Sequence, residues 1–153
     1  MEKRIYKNFI IKLSMLIAIL FIVFNFVFGF YQLKDLNMMP SFKGNDLLLY
    51  YRLNQQYQIN DVVVIKKKNK TLIQRVIACQ GDQIEVSNEG IFINNYLSIP
   101  TNQQNQLKNI KKRILNKNEY FLVSDDLDQT KPTIEKKVNI KGKIIFLIRT
   151  KIF

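Results

Sequence analysis

At 153 residues, with 24 lysines and arginines against 12 acids, the chain has room for one modest domain and carries a net charge of +12. It contains no histidine and a single cysteine, Cys79, which excludes a Ser-His triad, a Cys-His dyad, an intrachain disulfide and the zinc sites built from Cys and His clusters. The basic residues are spread along the chain rather than gathered on one motif, so no nucleic-acid interface, metal set or cofactor site is read from it.

The first predicted element is apolar. Leu13 to Phe30 reads LSMLIAILFIVFNFVFGF, an uncharged run of 18 residues that as a helix spans roughly 27 Å, close to the roughly 30 Å of a bilayer's hydrocarbon core. Lys3, Arg4, Lys7 and Lys12 precede it against one acid, Glu2. By the positive-inside rule, residues 1–12 are cytoplasmic, 13–30 form a single-pass plasma-membrane anchor and 31–153 form an extracellular domain. A cleavable signal peptide shares the basic start and apolar stretch, but it needs small residues at a cleavage site. Here the run closes on Phe26, Val27, Phe28, Gly29, Phe30 and Tyr31, which suits an uncleaved anchor.

Beyond Tyr31 the pattern changes to short runs of Ile, Val, Leu, Phe and Tyr bounded by Asn, Asp, Gly and Lys, which read as strands. Strands are predicted at 46–51, 61–65, 72–79, 83–86 and 91–93, then at 96–97, 120–123 and 143–149. Asn94-Asn95 is a hairpin turn, because Asn tolerates left-handed backbone. Residues 101–118 are rich in Asn, Gln and Lys, with Leu107, Ile110 and Ile114 at helical spacing, and read as a surface excursion carrying a short helix. The lysine runs at 66–70 and 111–113 read as solvated turns or faces, with anionic lipid or wall polymer as the alternative. Cys79 reads as a small apolar residue at a strand end. The fold class is mainly β: an antiparallel β domain behind one N-terminal transmembrane helix.

Four short segments follow the anchor in order: Asn37-Met38-Met39-Pro40-Ser41 with Asn45-Asp46; Asn60-Asp61-Val62-Val63; Gln74-Arg75-Val76-Ile77-Ala78-Cys79-Gln80-Gly81-Asp82; and Tyr120-Phe121-Leu122-Val123-Ser124-Asp125-Asp126-Leu127. Their order and spacing resemble the type I signal peptidases, membrane-anchored serine peptidases that work with a Ser/Lys dyad. The resemblance places Asn37 where that family has its nucleophilic serine and Gln74 where it has its general-base lysine. Such a hydrolase needs a hydroxyl that can lose its proton and an amine that can take it. A carboxamide does neither.

Other departures agree. Asp35 stands where the resemblance implies a small oxyanion donor, and a carboxylate there opposes a developing negative charge. Thr130 keeps a hydroxyl, whereas Pro132 and Ile134 replace the acid and arginine of the family's last motif. Ser41, with Lys34 or Lys43 close in sequence, is the alternative nucleophile of a displaced dyad, although it falls at the turn position after proline.

The resemblance implies that Met38, Met39, Pro40, Leu72 and Ile73 border a groove for an extended peptide; packing of the core is the competing reading. It also implies a protein that holds a secreted precursor without cutting it. Non-catalytic relatives in Gram-positive bacteria serve as chaperones or assembly factors for pili, with a pilin subunit or a sortase as partner. The alternative is an active signal peptidase with a displaced dyad.

Overall fold

The structure, a computed structural model, describes residues 2–34, 38–54, 56–67, 70–100, 109–127 and 131–149. Helix α1 (Glu2–Val27) opens the chain. Its segment Tyr6–Val27 is exposed throughout and long and apolar enough to cross a membrane. Beyond Lys12 its two polar side chains are satisfied locally: Ser14 Oγ donates to the Ile11 carbonyl at 2.9 Å and Asn25 Nδ2 to the Phe21 carbonyl at 2.8 Å, as a hydrocarbon environment requires. The helix ends three residues before the apolar run does. Phe28, Gly29 and Phe30 belong to strand β1 (Phe28–Gln32), which leads from the anchor directly into the β domain.

The remaining strands are β2 (Leu47–Tyr51), β3 (Val62–Lys67), β4 (Lys70–Ala78), β5 (Gln83–Val86), β6 (Gly90–Ile93), β7 (Tyr96–Pro100), β8 (Ile110–Ile114), β9 (Glu119–Val123), β10 (Thr133–Lys136) and β11 (Ile140–Ile148). All pair antiparallel. Seven form one sheet in the order β1, β2, β11, β3, β4, β9, β10, and four form a second in the order β7, β6, β5, β8. The last strand thus lies between β2 and β3 and joins the anchor-bearing hairpin to the rest of the sheet.

Three elements depart from the sequence expectation. Strand β1 is hidden in the apolar run. Residues 110–114 form β8 rather than a helix; Leu107 lies outside the described residues. A spacing of four between Ile110 and Ile114 satisfies a two-residue period as well as a helical one, and pairing with β5 decides it. Strand β10 is short and carries the buried Glu135, whose carboxylate is held by Lys67 at 2.9 Å and Asn139 at 2.8 Å.

Alternation along the strands divides the core. Val63, Ile65, Val76, Tyr120 and Leu122 pack on one face of the large sheet with Tyr57, and Cys79 borders that cluster. Burial, reinforced by Asp82 and Asp61, raises the Cys79 thiol pKa. Leu33, Met38, Leu48 and Ile73 pack on the opposite face. Phe121, Val123, Ala78, Ile84, Val86 and Ile91 close the space between the sheets.

One turn recurs four times. At 43–46, 58–61, 79–82 and 116–119 the N–H of the fourth residue donates to the carbonyl of the first. The third residue is left-handed: Asn45 (φ 70°), Asn60 (φ 74°), Gly81 (φ 90°) and Asn118 (φ 63°). The fourth is an acid whose carboxylate accepts from the first residue's N–H, with Lys43, Gln58, Cys79 and Asn116 donating to Asp46, Asp61, Asp82 and Glu119 at 2.8–3.0 Å. Each copy stands one residue or less before a strand. The Asn-Asp and Gly-Asp pairs of the sequence are therefore structural. The Asn94-Asn95 hairpin between β6 and β7 has both residues left-handed, as expected.

Candidate functional site

Strand β4 carries the center of the site. Its alternation puts Leu72 and Gln74 toward one face and Ile73 and Arg75 toward the other. Gln74 is fully buried. Its Oε1 accepts from the Thr133 hydroxyl at 2.9 Å and its Nε2 donates to the Lys131 carbonyl at 3.4 Å. Register brings Thr133 there: β10 sets it opposite Leu122 of β9, which stands opposite Val76 of β4. The position to which the resemblance assigns the general-base lysine holds an amide whose oxygen and nitrogen are both engaged.

On the other face, Arg75 reaches Asp125 with two hydrogen bonds, Nε to Oδ1 at 2.8 Å and Nη2 to Oδ2 at 2.7 Å. Nη2 also donates to Ser41 Oγ at 3.4 Å, and Nη1 to the Asn60 carbonyl at 3.3 Å. Burial alone would raise the Asp125 pKa, but hydrogen bonds from Arg75 and Ser41 hold it below the ordinary carboxylate value. The same hydrogen bond raises the Arg75 pKa. One guanidinium thereby ties the loop carrying Ser41 to the 58–61 turn before β3 and to the segment after β9.

Met38 sits beneath this array, fully buried, with its Sδ accepting from the Asp125 N–H at 3.5 Å. Beside it lies a cleft of about 250 Å³, bordered on the polar side by Ser41, Arg75, Ser124 and Asp125 and on the apolar side by Ile77 and Ile99. The Ser124 hydroxyl is buried and has no hydrogen-bond partner among the described residues.

The residues singled out from sequence are distributed as follows. Asn37 and Asp35 lie outside the described residues, as does Thr130. Met38 and Ile73 pack together in the core, Leu72 is half-buried, and Met39 and Pro40 are exposed. Pro132 is buried and Ile134 packs against the intersheet cluster. Arg75 and Asp125 fall within the sequence motifs but carry no contacts there, and Thr133 lies beyond the last motif. The signal was an arginine next to the lysine position and an acid in the final motif, whose proximity only the fold reveals.

Among the described residues Ser41 has no amine partner. Its hydroxyl shares Arg75 and Asp125, and a guanidinium that stays protonated cannot accept its proton.

One N-terminal apolar helix leading into two antiparallel sheets is the architecture of a signal-peptidase-like β domain. Residues 6–147 match the family described as signal peptidase, peptidase S26. The chain belongs to that family. It is 30% identical over 91 residues to Signal peptidase IB of Staphylococcus aureus (strain N315), covering 57% of this chain and 48% of that protein. With Signal peptidase IB of Staphylococcus aureus strain COL the identity is 31% over 98 residues, covering 61% and 51%. The chain thus spans about half the length of these relatives.

Proposed function

We propose that this protein is a non-catalytic member of the signal peptidase family that binds the extended segment of a secreted precursor and holds it during assembly at the membrane. The supporting observation is Gln74: a buried carboxamide, hydrogen-bonded through both its oxygen and its nitrogen, in the place of the general base. With Asn37 at the nucleophile position, neither half of the proton-transfer pair is present, and removing either half of such a unit costs orders of magnitude in rate.

What supports a binding role is the surface that remains. Met39 and Pro40 are exposed, Met38 and Ile73 pack together in the core, and Leu72 is half-buried on the face of β4 opposite Ile73. Exposed apolar side chains beside a strand suit an extended peptide. The family resemblance makes a pilin subunit the preferred precursor and a sortase the enzyme that acts next. The proposed topology has the N-terminus in the cytoplasm and the β domain outside, from the lysines and arginine ahead of the apolar run.

The second reading, a displaced dyad using Ser41, is disfavored by the Arg75 and Asp125 contacts of that hydroxyl. Both readings are tested by incubating the full-length protein in detergent with a fluorescent pre-protein and following binding and cleavage together. The expected outcome is binding without product, weakened by Met39→Glu or Leu72→Glu. Cleavage by the wild type that Ser41→Ala abolishes would establish the displaced dyad and overturn the proposal.

A further inference from the structure

The basic side chains of the β domain differ in how their charges are neutralized. Lys67, Arg75, Arg113, Lys143 and Arg149 each lie within 4 Å of a carboxylate. Arg52, Lys66 and Lys141 have no such partner among the described residues, yet all three border one cleft of about 350 Å³. No acid lines it. Like charges converging on a concave surface without a counterion define a site for an anion.

Its walls narrow the choice of anion. Tyr31 and Tyr50 supply aromatic sides and Thr71 a polar edge. The Arg52 guanidinium lies over the Tyr50 ring at 5.5 Å, which fixes its direction. Lys141 comes from the register shift where β11 crosses β3 between Ile140 and Gly142, a bulge of the kind that re-aims a side chain. Lys66 stands opposite Thr71 at the far end of β3.

The position of the cleft decides the source. The Arg52 N–H donates to the carbonyl of Val27, the last residue of α1, at 2.9 Å. Phe30, which also borders the cleft, contacts Phe24 of the helix, and Phe24 stacks on Phe28. Aromatic rings at the end of a spanning helix mark the level of the lipid headgroups. We propose that this cleft is a binding site for the phosphodiester of an anionic phospholipid, filled from the leaflet where α1 leaves the membrane. It is separate from the peptide surface and independent of whether the protein cleaves.

The test uses the full chain in neutral detergent micelles, with short-chain phosphatidylglycerol or phosphatidylcholine titrated in and the lipid-bound fraction counted by native mass spectrometry. Phosphatidylglycerol is expected to be retained at about tenfold lower concentration than phosphatidylcholine, and Lys66→Gln with Lys141→Gln to erase the difference. Lys111→Gln with Lys112→Gln, on β8 of the other sheet, is expected to preserve it. Both pairs are exposed, and matching thermal melts would show that the fold is intact. Equal retention of the two lipids, or a preference that survives the Lys66/Lys141 change, would overturn the site. Displacement of the lipid by equimolar glycerol 3-phosphate or inorganic phosphate would reassign it to a free phosphate ester, and displacement only by soluble poly(glycerol phosphate) would reassign it to a wall polymer; either result ends the lipid proposal.

Discussion

Asp125 shows how one ion pair organizes the neighborhood of the candidate site. Its pKa lies below the ordinary 3.8 because hydrogen bonds from Arg75 and Ser41 outweigh its burial. A carboxyl with a depressed folded pKa stabilizes the protein above its unfolded value and loses that contribution as pH falls through the folded one. Asp125→Asn is therefore expected to destabilize by about 1–3 kcal/mol at pH 7, with the gap from wild type closing below about pH 4. Urea midpoints at pH 7 and pH 3 measure this, and an unchanged gap would show the charge to be unimportant. Gln74 allows a complementary experiment. Gln74→Leu leaves the Thr133 hydroxyl without its acceptor and is expected to cost about 1–2 kcal/mol, whereas adding Thr133→Val is expected to recover most of it. A double-mutant cycle with no coupling would disprove that partnership.

At the scale of elements, the recurring turn explains both what the sequence reveals and what it conceals. The pairs Asn45-Asp46, Asn60-Asp61 and Gly81-Asp82 are visible as residues, and the strands that follow them were foreseen to within a residue or two. Their common hydrogen bond was not, since it requires the acid to fold back onto the N–H three residues earlier. Asn60→Ala keeps the side chain small but places an ordinary Cβ residue at φ 74°, which is expected to cost about 1 kcal/mol, while Asn60→Gly is expected to cost nothing or to stabilize. Thermal melts of the two variants separate a backbone effect from loss of the Asn side chain; equal losses would favor the latter. The elements that escaped the sequence did so for definable reasons. β1 shares its composition with the anchor, β8 has a spacing common to helix and strand, and β10 hides a charged residue whose partners are 68 and 4 positions away. The candidate site was legible in residue type at Gln74, but the Arg75–Asp125 bridge spans 50 positions and no local pattern encodes it.

For the molecule as a whole, integrity depends on one strand. β11 pairs with β2 on one side and β3 on the other, so the hairpin continuous with the anchor is held to the remainder of the large sheet through it. Gly142 sits where a Cβ would strike the Tyr51 carbonyl and the Tyr50 ring. Gly142→Ala is expected to cost about 2 kcal/mol or more through this collision. Hydrogen exchange would locate the damage: β1 and β2 are expected to lose protection while β5, β6 and β7 keep theirs, and uniform loss across both sheets would refute a local joint.

The same insertion sets a schedule for biosynthesis. Tyr51 of β2 is made some 90 residues before β11 begins, so at about 5–20 residues per second one margin of β2 waits several seconds for its neighbor. During that interval the hairpin nearest the bilayer has an open backbone edge. Folding of the large sheet can therefore finish only after the polypeptide through Ile148 has been synthesized, which couples maturation of this domain to the synthesis of its last strand.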